Sequence, residues 1–363
     1  MKKNILLRFI VAEQTMSQIV VVLCKFTITQ FKYFNQFNQS MPLLPNPAFK
    51  PPFYLPNGHF QTIYPSVFRK VKNFNYQRER LELLDGDFLD LDWSKNNSNK
   101  LIVLTHGLEG STHRSYVKGM AKVFVENNWD VLAWNCRSCS GEMNRTLKFY
   151  HHGGIEDISI VVNYALECKK YESIVLVGFS MGGAITMNYL GRHGDVPSQV
   201  KTGIGFSMPT DLDSSARLLT EIPINKVYHT RFLEKLAEKI RYKAAQFPDK
   251  LDASHLKNIY AWRDFDECYS APLFGYKNAD EFYYYSSSIN ILDKIKIPFL
   301  ISNAQNDPLL SPLCSPKNLA KQLPNFYLET PEFGGHVGFF PYKKDYSWMD
   351  ERALQWVDFV NRL

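Results

Sequence analysis

Two kinds of apolar spacing alternate along this chain. Short continuous apolar runs at residues 101–105, 129–134, 174–177, 202–208, 297–302 and 326–329 are too brief for helices and read as buried strands. Between and after them, apolar residues recur three and four apart. This predicts helices over 116–127, 155–168, from the end of the 174–177 run to about 191, over 316–323 and over 348–363. The first of these would turn Val117, Met120, Ala121, Phe124 and Val125 to one side. Upstream, 78–84 and 88–93 alternate in polarity about Asp85-Gly86, a hairpin signal. A hairpin followed by alternating strands and helices predicts an α/β fold, with a mostly parallel central sheet covered by helices on both faces.

The alternation breaks twice. Residues 209–290 carry a charged amphipathic helix at 231–243 and a tract at 260–285 dense in aromatics and acids. We read this as an inserted helical cap rather than a second independent domain. Residues 41–60 hold six prolines (Pro42, Pro45, Pro47, Pro51, Pro52, Pro56) and are expected to lack regular structure. Interleaved Phe49, Phe53, Tyr54 and Leu55 make an extended arm lying on the core the better reading. In residues 1–40, Arg8 and Glu13 interrupt the apolar run, and the second run, 19–24, is too short to span a bilayer. This extension is expected outside the folded domain, as a start assigned upstream of Met41 or as a weak anchor. The organisation is therefore extension 1–40, core with arm 41–208, cap 209–290, and the rest of the core 291–363.

Composition narrows the function without supplying one. Hydrophobic content of 45% with 21% charged residues is enough for a large core. A net charge of +6 with lysines scattered along the chain gives no reason to expect nucleic acid as a partner. The six cysteines (24, 136, 139, 168, 268 and 314) are dispersed, which fits a reduced, cytoplasmic protein; membrane association would require residues 1–40 to be retained. Cys136 and Cys139 have the spacing of half a zinc site, but no second such pair and no histidine pair follows, so no metal is expected.

Chemistry enters at Gly178-Phe179-Ser180-Met181-Gly182. The run ends an apolar strand and opens a helix, the setting of a G-x-S-x-G nucleophile elbow. Ser180 must sit in a strained backbone at the tip, and glycine two residues on either side lets strand and helix pass closely. A serine hydroxyl needs a histidine to take its proton, and the histidine needs an acid to fix its tautomer. Asp307, in Asn303-Ala-Gln-Asn-Asp-Pro308 after the 297–302 strand, is the expected acid; Asp293 precedes its strand and is set aside. His336, in Gly334-Gly-His-Val-Gly338 after the last strand, is the expected base. Backbone amides of Met181 and Leu108 would hold the oxyanion. His106, beside Leu108, is expected to support its loop, and His59, His113 and the pair His151-His152 receive structural readings.

These pieces together resemble the YheT-like branch of the α/β-hydrolase esterases. The resemblance is carried by His106-Gly-Leu-Glu-Gly110, Asn135-Cys-Arg-Ser-Cys-Ser-Gly-Glu142 with Asn144-Arg145, Gly178-Phe-Ser-Met-Gly-Gly183, Asn303 to Pro308 and Gly334-Gly-His-Val-Gly-Phe339. Pro56-Asn-Gly-His-Phe-Gln-Thr62 and Asp264-Phe-Asp-Glu267 with Ala271-Pro272 extend it to the arm and the cap. It implies an α/β-hydrolase fold, a triad at Ser180, Asp307 and His336, and hydrolysis of carboxylic esters. Two departures stand out: Ser138 where the branch has glycine, and Asn306 where it has aspartate. The expectation is a serine carboxylesterase acting on small esters of short-to-medium apolar acyl chains, without metal or organic cofactor. An acyltransferase or membrane-associated lipase using the same triad is the alternative, and a non-catalytic binding protein the remotest one.

Overall fold

The computed structural model describes residues 43–45, 49–341 and 346–363. The strands are Gln77–Glu82 (β1), Phe88–Ser94 (β2), Lys100–Thr105 (β3), Asp130–Trp134 (β4), Ser173–Phe179 (β5), Val200–Phe206 (β6), Phe299–Ser302 (β7) and Phe326–Glu329 (β8). They form one sheet in the order β1-β2-β4-β3-β5-β6-β7-β8. β1 and β2 are the expected hairpin, β2 meets β4 antiparallel, and every other pairing is parallel. Strands β4, β7 and β8 are buried along their whole length and β3 beyond Lys100, which is why they read as continuous rather than alternating runs.

Helices Ser115–Glu126 (α2), Glu156–Cys168 (α3), Met181–Arg192 (α4) and Trp348–Val360 (α8) cover this sheet. Helix α2 buries Val117, Met120, Ala121 and Phe124 as expected, with Val123 in the place given to Val125, which is half-buried. Helix α4 is buried continuously from Met181 to Leu190, so the segment following the elbow runs through the core. The helix expected over 316–323 shrinks to Lys317–Ala320.

Two segments depart from a plain sheet-and-helix plan. Between β6 and β7 the chain builds Leu212–Glu221 (α5), Lys226–Gln246 (α6), short turns and Ala279–Ser286 (α7). Its apolar clusters, one around Trp262 and Phe282 and one around Phe265 and Tyr269, include Leu108 and Phe149 of the core. The proline-rich arm pairs Leu43 with Leu328 of β8 and buries Leu44, Phe49 and Leu55. The expectation that it has no regular structure up to residue 60 is corrected by a helix at Gly58–Phe68 (α1). Asn57 caps α1, its Oδ1 accepting from His59 N at 3.1 Å and Phe60 N at 3.2 Å. Pro65 lies inside the helix and removes one backbone donor. Among the described residues no helix is long and apolar enough to cross a membrane; the extension 1–40 lies outside them.

Candidate active site

Strands β3 and β5 are neighbours, with Thr105 opposite Gly178, while the chain between them detours through β4 on the far side of β3. The loops leaving β3 and β5 therefore meet at a switch point at the carboxyl ends of the strands, where open α/β sheets bind ligands. Ser180 sits there at φ 53°, ψ −122°, a conformation costing about 1–3 kcal/mol for a residue with a side chain. Its amide donates to Phe206 O at 2.9 Å, and its carbonyl accepts from Gly183 N at 2.9 Å. A Cβ at 178 would fall 2.2 Å from Gly182 O, and one at 182 would fall 2.3 Å from Thr105 O, so both flanking glycines are sterically required.

The acid and the base arrive from the next loops along the same edge. Asp307 follows β7, and its side chain is fully shielded from solvent. Its Oδ1 accepts from Leu309 N at 2.9 Å. His336 follows β8, with Nδ1 2.9 Å from Asp307 Oδ2 and Nε2 2.9 Å from Ser180 Oγ. With the proton on Nδ1 donated to the carboxylate, Nε2 is left to accept from the serine hydroxyl. All three residues selected from the sequence are in contact.

What aligns these loops is helix α1, whose contribution the sequence reading did not identify. Gln61 is buried: its Nε2 donates to Leu55 O at 2.9 Å, and its Oε1 accepts from Gly334 N at 2.8 Å and Asn306 Nδ2 at 3.0 Å. Asn306 Oδ1 accepts from Gly335 N at 3.0 Å, so asparagine at this departure from the branch pattern both donates and accepts. Thr62 Oγ1 accepts from His336 N at 2.8 Å. A Cβ at Gly58 would lie 1.8 Å from Asn306 O. On the other side Ser207 Oγ accepts from Val337 N at 2.8 Å. The only hint in sequence is a Gln-Thr pair just past an Asn cap.

Leu108 and Met181 line the same cavity as Ser180. Met181 opens α4, where amides have no intrahelical acceptor, and among the described residues neither its N–H nor that of Leu108 has one. The Leu108 turn is closed by Gly110 N donating to Gly107 O at 2.9 Å. His106 is wholly buried beneath it. Its Nε2 accepts from Cys136 N at 3.1 Å, so the proton is on Nδ1, which donates to Gly107 O at 2.7 Å. Burial lowers its pKa to about 4 and keeps it neutral, a structural role. Glu109, next in the turn at φ 52°, is gripped by the cap: Lys239 Nζ of α6 lies 2.7 Å from its Oε1, and Tyr150 OH donates to the same oxygen. Ser138 holds φ 61°, the conformation glycine would take freely, and its Oγ lies 2.5 Å from Asn144 Oδ1 and accepts from Asn144 N at 3.1 Å.

Under the cap an apolar cavity of about 120 Å³ opens onto Ser180 and His336, walled by Leu108, Met181, Leu212, Trp262, Phe265 and Phe282. One acid lies in that wall. Asp266 begins a π-helical turn and is buried, which raises its carboxyl to about 6 although Ser270 Oγ donates to it at 2.6 Å and Tyr283 OH at 2.8 Å. His151 and His152 also line the cavity, and burial lowers them to about 3 and about 4. His151 lies over Phe274, with ring centroids 4.1 Å apart. His59 stacks on Tyr228 of the cap. Among the described residues no group of His, Cys, Asp and Glu could hold a metal ion.

Comparison with known proteins places the fold in a family. Residues 100–341 match the model of the alpha/beta hydrolase fold family. The chain is 31% identical over 332 residues to the Escherichia coli protein YheT, an esterase by name, spanning 89% of this chain and 95% of that one. It is 29% identical over 271 residues to a monoacylglycerol lipase of Saccharomyces cerevisiae, spanning 73% of this chain and 60% of the yeast protein. The esterase Pf2001 of Pyrococcus furiosus superposes with a TM-score of 0.54 at 17% identity, over 81% of this chain and 95% of that one, a likeness of fold.

Proposed function

This chain belongs to the alpha/beta hydrolase fold family, in the branch of YheT, and we propose that it is a serine carboxylesterase working through Ser180, His336 and Asp307. Ser180 Oγ attacks the acyl carbonyl carbon while His336 Nε2 takes its proton. Asp307 stays ionised, holds the imidazole with its proton on Nδ1 and stabilises the imidazolium that forms. The oxyanion is held by the amides of Met181 and Leu108. The bond from the carbonyl carbon to the leaving oxygen then breaks, His336 returns the proton to that oxygen, and the acyl group remains on Ser180. Water, deprotonated by His336, attacks the acyl-enzyme and releases the acid. The observation that carries this reading is the unbroken chain of 2.9 Å contacts from Asp307 through His336 to Ser180. The apolar cavity under the cap suits the acyl group, of short to medium length. The five described cysteines are free, which fits a reducing, cytoplasmic setting.

A panel of p-nitrophenyl esters of increasing chain length tests the proposal. Wild type should turn over the shorter members, Asp307→Asn should lose roughly 10⁴-fold in kcat, and Ser180→Ala should lose at least as much. Turnover by Ser180→Ala at the wild-type rate would reject the assignment.

A further inference from the structure

The apolar cavity under the cap ends at a partition, and a second cavity of about 370 Å³ lies behind it. The second is about three times the volume of the first. It is lined by the buried Trp134 and Ile185 and by the charged Lys148, Glu156 and Asp157. Neither Ser180 nor His336 reaches it, so the mechanism above makes no use of it. Five residues line both cavities and therefore form the partition: Phe149, Tyr150, His151, Leu273 and Phe274.

Three of the five are engaged elsewhere. Tyr150 bonds Glu109, and Phe149 and Leu273 pack into the cluster around Phe265 and Tyr269. The remaining two close the gap with their rings, whose centroids lie 4.1 Å apart. His151 comes from the core, in the loop between β4 and α3, and Phe274 comes from the cap. Each is fixed from its own side. His151 Nδ1 accepts from Gly153 N at 3.3 Å and lies 3.2 Å from Ser286 Oγ, which donates to it. A Cβ at Gly154 would fall 3.2 Å from His151 Cδ2, so the following turn wraps closely round the imidazole. Burial keeps that ring neutral, and it can lie against an apolar chain. Phe274 ends the helical turn Ala271–Leu273. Gly275, at φ 78°, donates to Pro272 O at 3.2 Å, and Tyr276 N donates to Ala271 O at 2.8 Å, a Schellman closure that sets the direction of the phenyl ring.

Resting on the esterase reading above, we propose that the His151–Phe274 pair is the stop that sets the longest acyl chain the cavity accepts. Each methylene buried against the apolar wall is worth up to roughly fourfold in kcat/KM. Once the chain meets the two rings, a further methylene must displace one of them or stay outside, and the gain ends. Removing either ring joins the two cavities and lets a longer chain run on over Trp134 and Ile185.

The test is the ratio of kcat/KM for p-nitrophenyl dodecanoate to that for the butanoate. Phe274→Ala and His151→Ala, which open the partition from its two sides, should each raise this ratio roughly tenfold or more over wild type. Leu236→Ala, which enlarges the first cavity at a wall it does not share with the second, should change the ratio by only a few-fold. Fluorophosphonate labelling of Ser180 shows which variants are folded. An unchanged ratio in both folded ring variants, or an equal rise in Leu236→Ala, would overturn the stop and leave the esterase reading standing. Absence of Ser180-dependent turnover of any ester would overturn both.

Discussion

Ser180 combines two demands that only its surroundings reconcile. Its backbone is strained at φ 53°, and its Oγ must stay within reach of His336. The strain is held by hydrogen bonds from β6 and α4 and by glycines that no other residue could replace without displacing a carbonyl. Asn306 shows the same economy: an aspartate there could accept from Gly335 N, but when ionised it could not donate to Gln61. Asp266 is a residue whose protonation the fold itself controls. Its carboxyl is raised from 3.8 to about 6 by burial, so between about pH 4 and pH 6 the native state binds a proton that the unfolded chain has released. Its contribution to stability is therefore complete below about pH 4 and lost as pH rises through 6, up to about 3 kcal/mol. Urea unfolding of wild type and Asp266→Asn should show the variant gaining relative stability from pH 4 to pH 7; a difference independent of pH would contradict this. The neutral histidines His151 and His152 titrate in the opposite sense, and comparing the two proteins removes them.

Among elements, helix α1 has the largest influence for its size. Through Gln61 and Thr62 it ties the loop bearing Asp307 to the loop bearing His336, contacts that span up to 274 residues of chain. Gln61→Ala would leave Gly334 N–H, Leu55 C=O and the Asn306 amide short of a partner, a loss of about 1–3 kcal/mol for each group left unsatisfied. We expect lower stability together with a roughly tenfold to hundredfold fall in kcat at nearly unchanged KM, from misplacement of the imidazole. A destabilised protein with wild-type kcat would limit α1 to a structural role. The strands were legible because burial on both faces leaves an uninterrupted apolar run, and 326–329 matches β8 at both ends. Helix α1 was not, because prolines crowd its approach and Pro65 interrupts it, while its value comes from partners far away in sequence. The short helix at 317–320 shows the converse: helical spacing alone does not set a helix's length, and the chain there forms little more than one turn.

At the scale of the whole molecule, the cap and the core share a polar contact beside the reacting atoms. Lys239 of α6 reaches Glu109, the residue after Leu108, so the cap helps to fix the turn proposed to hold the oxyanion. Lys239→Met would strand a buried carboxylate and should cost about 3–5 kcal/mol in urea unfolding, with much of the loss recovered by adding Glu109→Gln. Equal stability of wild type and the single variant would contradict that coupling. The charge distribution was the least legible feature of the sequence. The lysines and arginines look scattered along the chain, yet the fold brings Arg114, at the N-cap of α2, beside Lys235 of α6 on one cleft. Ser180, Asp307 and His336 were legible because each follows a strand, in the chain order that an α/β-hydrolase sheet imposes, and the structure brings their side chains into one hydrogen-bonded chain.

The central claim, acyl transfer through Ser180, is tested most directly by intact-mass and peptide mass spectrometry after treatment with a fluorophosphonate. The account predicts one adduct on the peptide carrying Ser180, absent in Ser180→Ala and slowed by Asp307→Asn. An adduct on another residue, or equal labelling of wild type and Ser180→Ala, would contradict it.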